Sequence, residues 1–285
     1  MVGTTAWADV EDARRGLIAL LPRDRFLKSL CKGAITVGRD KTNPIRGNLV
    51  ASALRELATH VLHSLAPDDE VRRCVWFEQA KDTKTVTRGQ RARYIVQAGL
   101  PDDFVKEKLK VDTAAMAKPL LDAMDKLHKA THVRVETVVR KGSAVREMLY
   151  EVITEVHTLL EDATEARGSI KDAVGTALHN AVFESMILDT IQELDELSTH
   201  TRIDGHWIDE IEVRRLDARE IEYCVTGEVE VELQYGSNSD VASDIGMRSD
   251  DSYPYKVKVV AEAGKPLDID AEAIRLTVDT SSFYE

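Results

Sequence analysis

Arg55 and His60 are separated by four residues in the run Arg-Glu-Leu-Ala-Thr-His, which places a guanidinium and an imidazole at Arg-x4-His spacing. An imidazole can give or take a proton, and a guanidinium can donate paired hydrogen bonds to an anion. On an α-helix five residues span about 500°, so the two heads sit about 140° apart and reach a common substrate only across a cleft with another helix or subunit. Glu56 stands four residues before His60, where it could bond the ring and fix its tautomer. A chain of this composition contains about 0.6 such pairs by chance. A surface arginine with a half-buried helical histidine is the alternative.

A second cluster is cationic. Between Lys81 and Arg93 there are five basic residues, Lys81, Lys84, Arg88, Arg91 and Arg93, against one acid, Asp82, interleaved with Thr83, Thr85, Thr87 and Gly89. This composition suits a loop entering a helix and a phosphate-facing surface, to which Arg46 adds a further cation. A solvated turn has the same composition. Two histidine pairs are also present, His128 with His132 and His200 with His206. For His128 with His132 no third ligand is identifiable, and a helix cap or surface pair is the favoured reading. His200 with His206 has Asp204, Asp209 and Glu210 close by, which could assemble a metal site, but Gly205 marks an ordinary turn, which is favoured. No metal or cofactor is expected. The chain has no Gly-x4-Gly-Lys-Ser/Thr, Gly-x-Gly-x-x-Gly or Gly-x-Ser-x-Gly motif. This argues against P-loop nucleotide hydrolysis, dinucleotide redox chemistry and the common serine hydrolases.

The elements that would position these groups are legible from periodicity. Ala6 to Lys32 reads as two short helices split at Pro22, with Leu17, Leu20, Leu21, Phe26, Leu27 and Leu30 as the apolar positions. Asn43 and Pro44 read as the cap and first-turn proline of a helix whose apolar stripe is Leu49, Leu54, Leu57, Val61, Leu62 and Leu65, stopped by Pro67. A short helix from Asp68 through Phe77, another over Pro101 to Leu109, and one from Lys118 with Pro119 in its first turn follow. Two long helices, Ser143 to Ala166 and Ser169 to Leu197, read as a hairpin. After His200 the period falls from 3.6 to 2. Ile221, Tyr223 and Val225, then Val229, Val231, Leu233 and Tyr235, alternate with acids around an expected turn at Thr226 and Gly227, and Lys256 and Lys258 are placed to meet those acids. About five strands and an acidic loop over Asn238 to Asp251 are expected. The fold class is α+β: a helical region over residues 1–140, a helical hairpin over 141–200 and a small antiparallel β domain over 201–285.

Charge divides along the same line. Residues 1–140 carry 25 Lys+Arg against 18 Asp+Glu, net +7, and the remainder 13 against 32, net −19, giving −12 for the 285 residues. A polyanion partner is expected for the first part, although uneven surface charge alone would give the same asymmetry. Three unpaired cysteines, Cys31, Cys74 and Cys224, point to a reducing, cytoplasmic setting. Neither a secretion signal nor a membrane span is expected.

The run Asn43-Pro44-Ile45-Arg46, continuing through Ala53-Leu54-Arg55-Glu56-Leu57 to Leu65-Ala66-Pro67, resembles the start of the bacterial defence proteins named predicted pPIWI-associating nucleases. Leu233-Gln234-Tyr235-Gly236-Ser237-Asn238-Ser239-Asp240 is similar to their C-terminal signature. The helical part also resembles the HEPN superfamily, whose active members are metal-independent endoribonucleases carrying Arg-x4-6-His, although their motif usually lies in a late helix and here it lies in an early one. The resemblance implies a defence or toxin-like effector that cuts RNA, with Arg55, Glu56 and His60 at the site. It also implies a homodimer, with the β domain regulating the enzyme or contacting a protein partner. A metal-dependent nuclease and a non-catalytic adaptor are the alternatives.

Overall fold

The computed structural model describes residues 5–284, which divide into two units, 5–98 with 110–167, and 99–109 with 168–284. The first is helical, with α1 (Trp7–Leu20), α2 (Arg25–Arg39), α3 (Arg46–Leu65), α4 (Asp68–Arg73), α5 (Arg88–Gln97), α6 (Thr113–Ala130) and α7 (Gly142–Gly168). The break expected at Pro22 separates α1 from α2. There Asp24 caps α2 by accepting a hydrogen bond from the Leu27 backbone N–H at 2.8 Å.

Helix α3 is the hub, packing against α2, α5 and α6. Its fully buried face is Val50, Ala51, Leu54, Leu57, Ala58, Val61 and Leu62, while Leu49, expected in the stripe, is exposed. Each such leucine contributes about 1.5–3 kcal/mol by leaving water. The helix starts two residues later than Asn43-Pro44 suggests, because the Asn43 side chain instead accepts from the Ile45 N–H at 3.0 Å and closes a turn ahead of it. Buried Asn48 then anchors the chain after α6: its amide donates to the Ala130 and Thr137 carbonyls at 2.8 and 2.9 Å and accepts from Val139 N–H at 3.3 Å. Helix α6 begins at Thr113, capped by Asp112, so Pro119 falls inside the helix and not in its first turn.

In the second unit, a single π turn, Phe104–Lys108, replaces the helix expected over Pro101 to Leu109. Helices α8 (Ile170–Leu188) and α9 (Gln192–Asp195) break the long helix expected to Leu197. A four-stranded sheet then follows: β1 (His200–Leu216), β2 (Glu220–Tyr235), β3 (Met247–Glu262) and β4 (Arg275–Val278), antiparallel in sequence order, with α10 (Asn238–Ala242) between β2 and β3. Its inner face buries Ile221, Tyr223, Val225, Val229, Val231 and Leu233 of β2 with Tyr253, Tyr255, Val257 and Val259 of β3. Helix α8 packs on β1.

The turn expected at Thr226-Gly227 does not form, which is why there are four strands and not five. β2 runs straight through, with Gly227 opposite Ile208 on one side and Tyr255 on the other. A Cβ there would stand 2.0 Å from the Trp207 carbonyl oxygen and 2.7 Å from the Tyr255 hydroxyl, so the glycine marks a close approach within the sheet and not a reversal. On the outer face Lys258 pairs with Glu222 at 2.8 Å as the alternation predicts, whereas Lys256 lies opposite Thr226. The expected acidic loop is shorter than read, since Ser237 and Asp240 form a capping box for α10 and Asp250 and Asp251 lie within β3.

Candidate functional site

The packing of α2 on α3 brings Asp24 to His60: Asp24 Oδ2 lies 2.7 Å from His60 Nε2. The two carboxylate oxygens are divided between tasks, Oδ1 on the Leu27 N–H at the start of α2 and Oδ2 on the imidazole. Both side chains keep a share of solvent, 26% of His60 and 19% of Asp24, so the pair is held yet reachable. Burial pushes the Asp24 carboxyl up, but the Leu27 N–H and His60 outweigh it and hold the group below the ordinary carboxylate range. Because the folded value is depressed, the pair adds stability above the usual carboxyl pKa and loses it as pH falls through the depressed one. A carboxylate bonded to one ring nitrogen fixes the tautomer and aims the other nitrogen outward.

The Phe26 ring meets His60 edge-on, with centroids 4.9 Å apart and planes at 78°, and is 55% exposed. An imidazole fixed by a carboxylate with an open aromatic face beside it is an arrangement for proton transfer next to a stacked planar group.

The residues singled out in the sequence are distributed as follows. Arg55 pairs with Glu56 at 3.1 Å, and both face solvent in part. The carboxylate that orients His60 is therefore Asp24, and Glu56 is engaged by its neighbour. Arg46 is the first residue of α3, beside Gly142 at the start of α7. Lys84 is exposed, its carbonyl accepting from Arg72 at 2.7 Å, and Arg88 opens α5 with its guanidinium 3.7 Å from Asp125. Arg91 does not belong to the surface. It is 2% exposed and its guanidinium is bonded to the Ala66 carbonyl and to Asp68, because it sits on the face of α5 that also buries Ala92 and Ile95. Arg93 lies over the Trp76 indole, 4.1 Å from the ring centroid. The basic run thus splits into an outward part, Lys81, Lys84 and Arg88, and a structural part, Arg91 and Arg93.

Of the histidine pairs, His128 and His132 stack edge to face at 5.5 Å. His206 is buried, with Nδ1 2.9 Å from the Tyr255 hydroxyl and Nε2 3.1 Å from the His179 carbonyl, so both ring nitrogens are taken. Among the described residues no group of three or more histidine, cysteine or carboxylate side chains is placed to hold a metal ion, and no helix is long and apolar enough to cross a membrane.

Asp24 and Phe26 escape a reading by spacing, because they stand 36 and 34 positions from His60 in the chain. The only hint at Asp24 is its place after Pro22, where a helix cap is due.

An α+β chain with a helical unit carrying an oriented imidazole is what the fold and site define. Family models described as predicted pPIWI-associating nuclease match it twice, over residues 19–156 and 163–284. The chain belongs to the predicted pPIWI-associating nuclease family, as the resemblance at both ends implies. No curated protein and no solved structure matches it.

Proposed function

We propose that the protein is a metal-independent endoribonuclease, an effector of a defence system, in which His60 moves a proton at the scissile phosphodiester and Arg55 stabilises the charge that develops on the phosphorane. The observation that carries this reading is the Asp24–His60 contact, 2.7 Å long and open to solvent. An imidazole held this way acts on a ribose 2′-hydroxyl or on the leaving 5′-oxygen, and neither task needs a metal. The family name supports the nuclease class. The exposed cations Lys84 and Arg88, with the half-buried Arg46, supply a non-specific hold on a polyanion. Arg55 and His60 project from different sides of α3, so a second copy facing the first completes the site, and the working form is a homodimer.

Phe26 fits the reading as a platform for an unpaired base. Stacking of this kind contributes about 1–3 kcal/mol per base. Phe26→Ala is therefore expected to raise KM about 5- to 100-fold, with kcat changed much less, and Phe26→Trp to restore it. Steady-state kinetics on a short RNA measure both, and equal losses for the two variants would remove the platform.

The reading as a whole is tested with two oligonucleotides of one sequence, all-ribose and carrying a single 2′-deoxyribose at the mapped cleavage position. Cleavage at that position is expected to disappear with the deoxy sugar, since the nucleophile is gone. Equal cutting of both would exclude attack by the 2′-oxygen.

A further inference from the structure

A groove of about 440 Å³ opens beside α3, lined by Thr59 and His63 from that helix and by Thr85, Thr87 and Arg88 at the entry to α5. His63 follows His60 by three positions, about 60° around the axis and one turn along, so their Cβ atoms are on the order of 5–6 Å apart. It is exposed, and among the described residues no hydrogen bond or ion pair engages its ring. The charged groups around it are Arg91 and Asp68, which satisfy one another, and Arg88, which is 43% exposed.

We propose that His63 is the second proton-transfer group of the RNA cleavage assigned above, acting from this groove while His60 acts from the Asp24 side. The inference rests on that assignment. The two imidazoles have different settings, and this fixes their roles. His60 has one nitrogen held on the Asp24 carboxylate, which orients the ring so that the other nitrogen can hand a proton to the leaving oxygen. No carboxylate bonds to His63, and partial burial of the ring and then the Arg91 charge outweigh the nearby Asp68 and hold its pKa below the usual histidine value. That shift favours the neutral ring, which suits a base.

His63 takes the proton of the 2′-hydroxyl and the 2′-oxygen forms a bond to phosphorus. The bond from phosphorus to O5′ breaks with its electron pair on oxygen, and His60 gives that oxygen a proton. The products are a 2′,3′-cyclic phosphate and a 5′-hydroxyl, and water returns the two rings to their starting protonation. Arg88, at the groove edge, holds the phosphate of the adjoining nucleotide.

The experiment compares the purified full chain with His63→Ala, His63→Asn and His60→Ala on two substrates. One is a short RNA and the other a nucleoside 3′-(4-nitrophenyl phosphate), whose leaving group departs without an acid. Both His63 variants are expected to lose about 10²-fold or more on each substrate, together with the acidic limb of the kcat/KM profile. His60→Ala is expected to lose far more on RNA than on the ester. Circular dichroism confirms that the variants are folded, and two exposed-site substitutions make a common folding defect distinguishable from lost chemistry. Variants of His63 within threefold of wild type on both substrates overturn the inference and leave the His60 assignment standing. Equal losses for His60→Ala on RNA and ester would make His60 the base and also overturn it. Undiminished RNA cleavage by His60→Ala refutes the parent assignment, and this inference with it.

Discussion

His60→Ala is expected to lower the rate of RNA cleavage by about 10²–10⁴-fold, the usual worth of a positioned acid or base. The loss belongs in kcat, because the imidazole acts on bonds that change in the transition state and contributes little to holding the strand. Folding should be nearly unaffected. The side chain is partly exposed, and its partner Asp24 keeps its bond to the Leu27 N–H, so the cap of α2 survives. A partly exposed ion pair of this kind is worth at most about 1 kcal/mol. Asp24→Asn should move activity in the same direction, since an amide at that position favours a different ring orientation. Single-turnover cleavage of a labelled RNA, with thermal melting alongside, measures both. A His60→Ala protein that cuts at the wild-type rate would make the histidine structural and return Arg55 and Glu56 to a surface ion pair.

The second large effect is on the sheet. Gly227→Val is expected to destabilise the unit that contains the sheet by about 3 kcal/mol or more, at the upper end for overpacking. The space a Cβ would need is already filled by the Trp207 carbonyl and the Tyr255 hydroxyl. That hydroxyl donates to the Trp207 carbonyl at 3.3 Å and meets His206 Nδ1 at 2.9 Å, so any shift of β3 away from β2 breaks a buried polar cluster as well as the ladder. Hydrogen exchange read by mass spectrometry across residues 200–262 locates the effect. Protection equal to wild type would mean that the three strands separate at Gly227 without cost.

These positions also mark how far sequence reading reaches. Helix α3 was visible because Leu54, Leu57, Val61 and Leu62 recur at helical spacing, and the strands because Ile221 to Leu233 alternate with acids. Gly227 misled because glycine serves two purposes with the same letter, a reversal of the chain or a close approach, and only the neighbouring strands decide between them. Pro119 misled similarly: the cap at Asp112 lies about two turns before it, and a proline read as a first-turn residue concealed the earlier start. Arg91 had the composition of a phosphate contact, yet Asp68 lies 23 positions away and the fold places that carboxylate against it. The candidate site was half legible. His60 stands out as a candidate by residue type and spacing, whereas Asp24 and Phe26 reach it only through the packing of α2 on α3, a long-range fact that no local pattern carries.

The most direct test is the chemistry of the cut ends. Purified protein incubated with a defined RNA in excess EDTA is expected to cleave at an undiminished rate, leaving 2′,3′-cyclic phosphate and 5′-hydroxyl termini. Cleavage that stops on chelation, or products ending in 5′-phosphate and 3′-hydroxyl, would contradict an imidazole-driven mechanism and place the protein among metal-dependent nucleases.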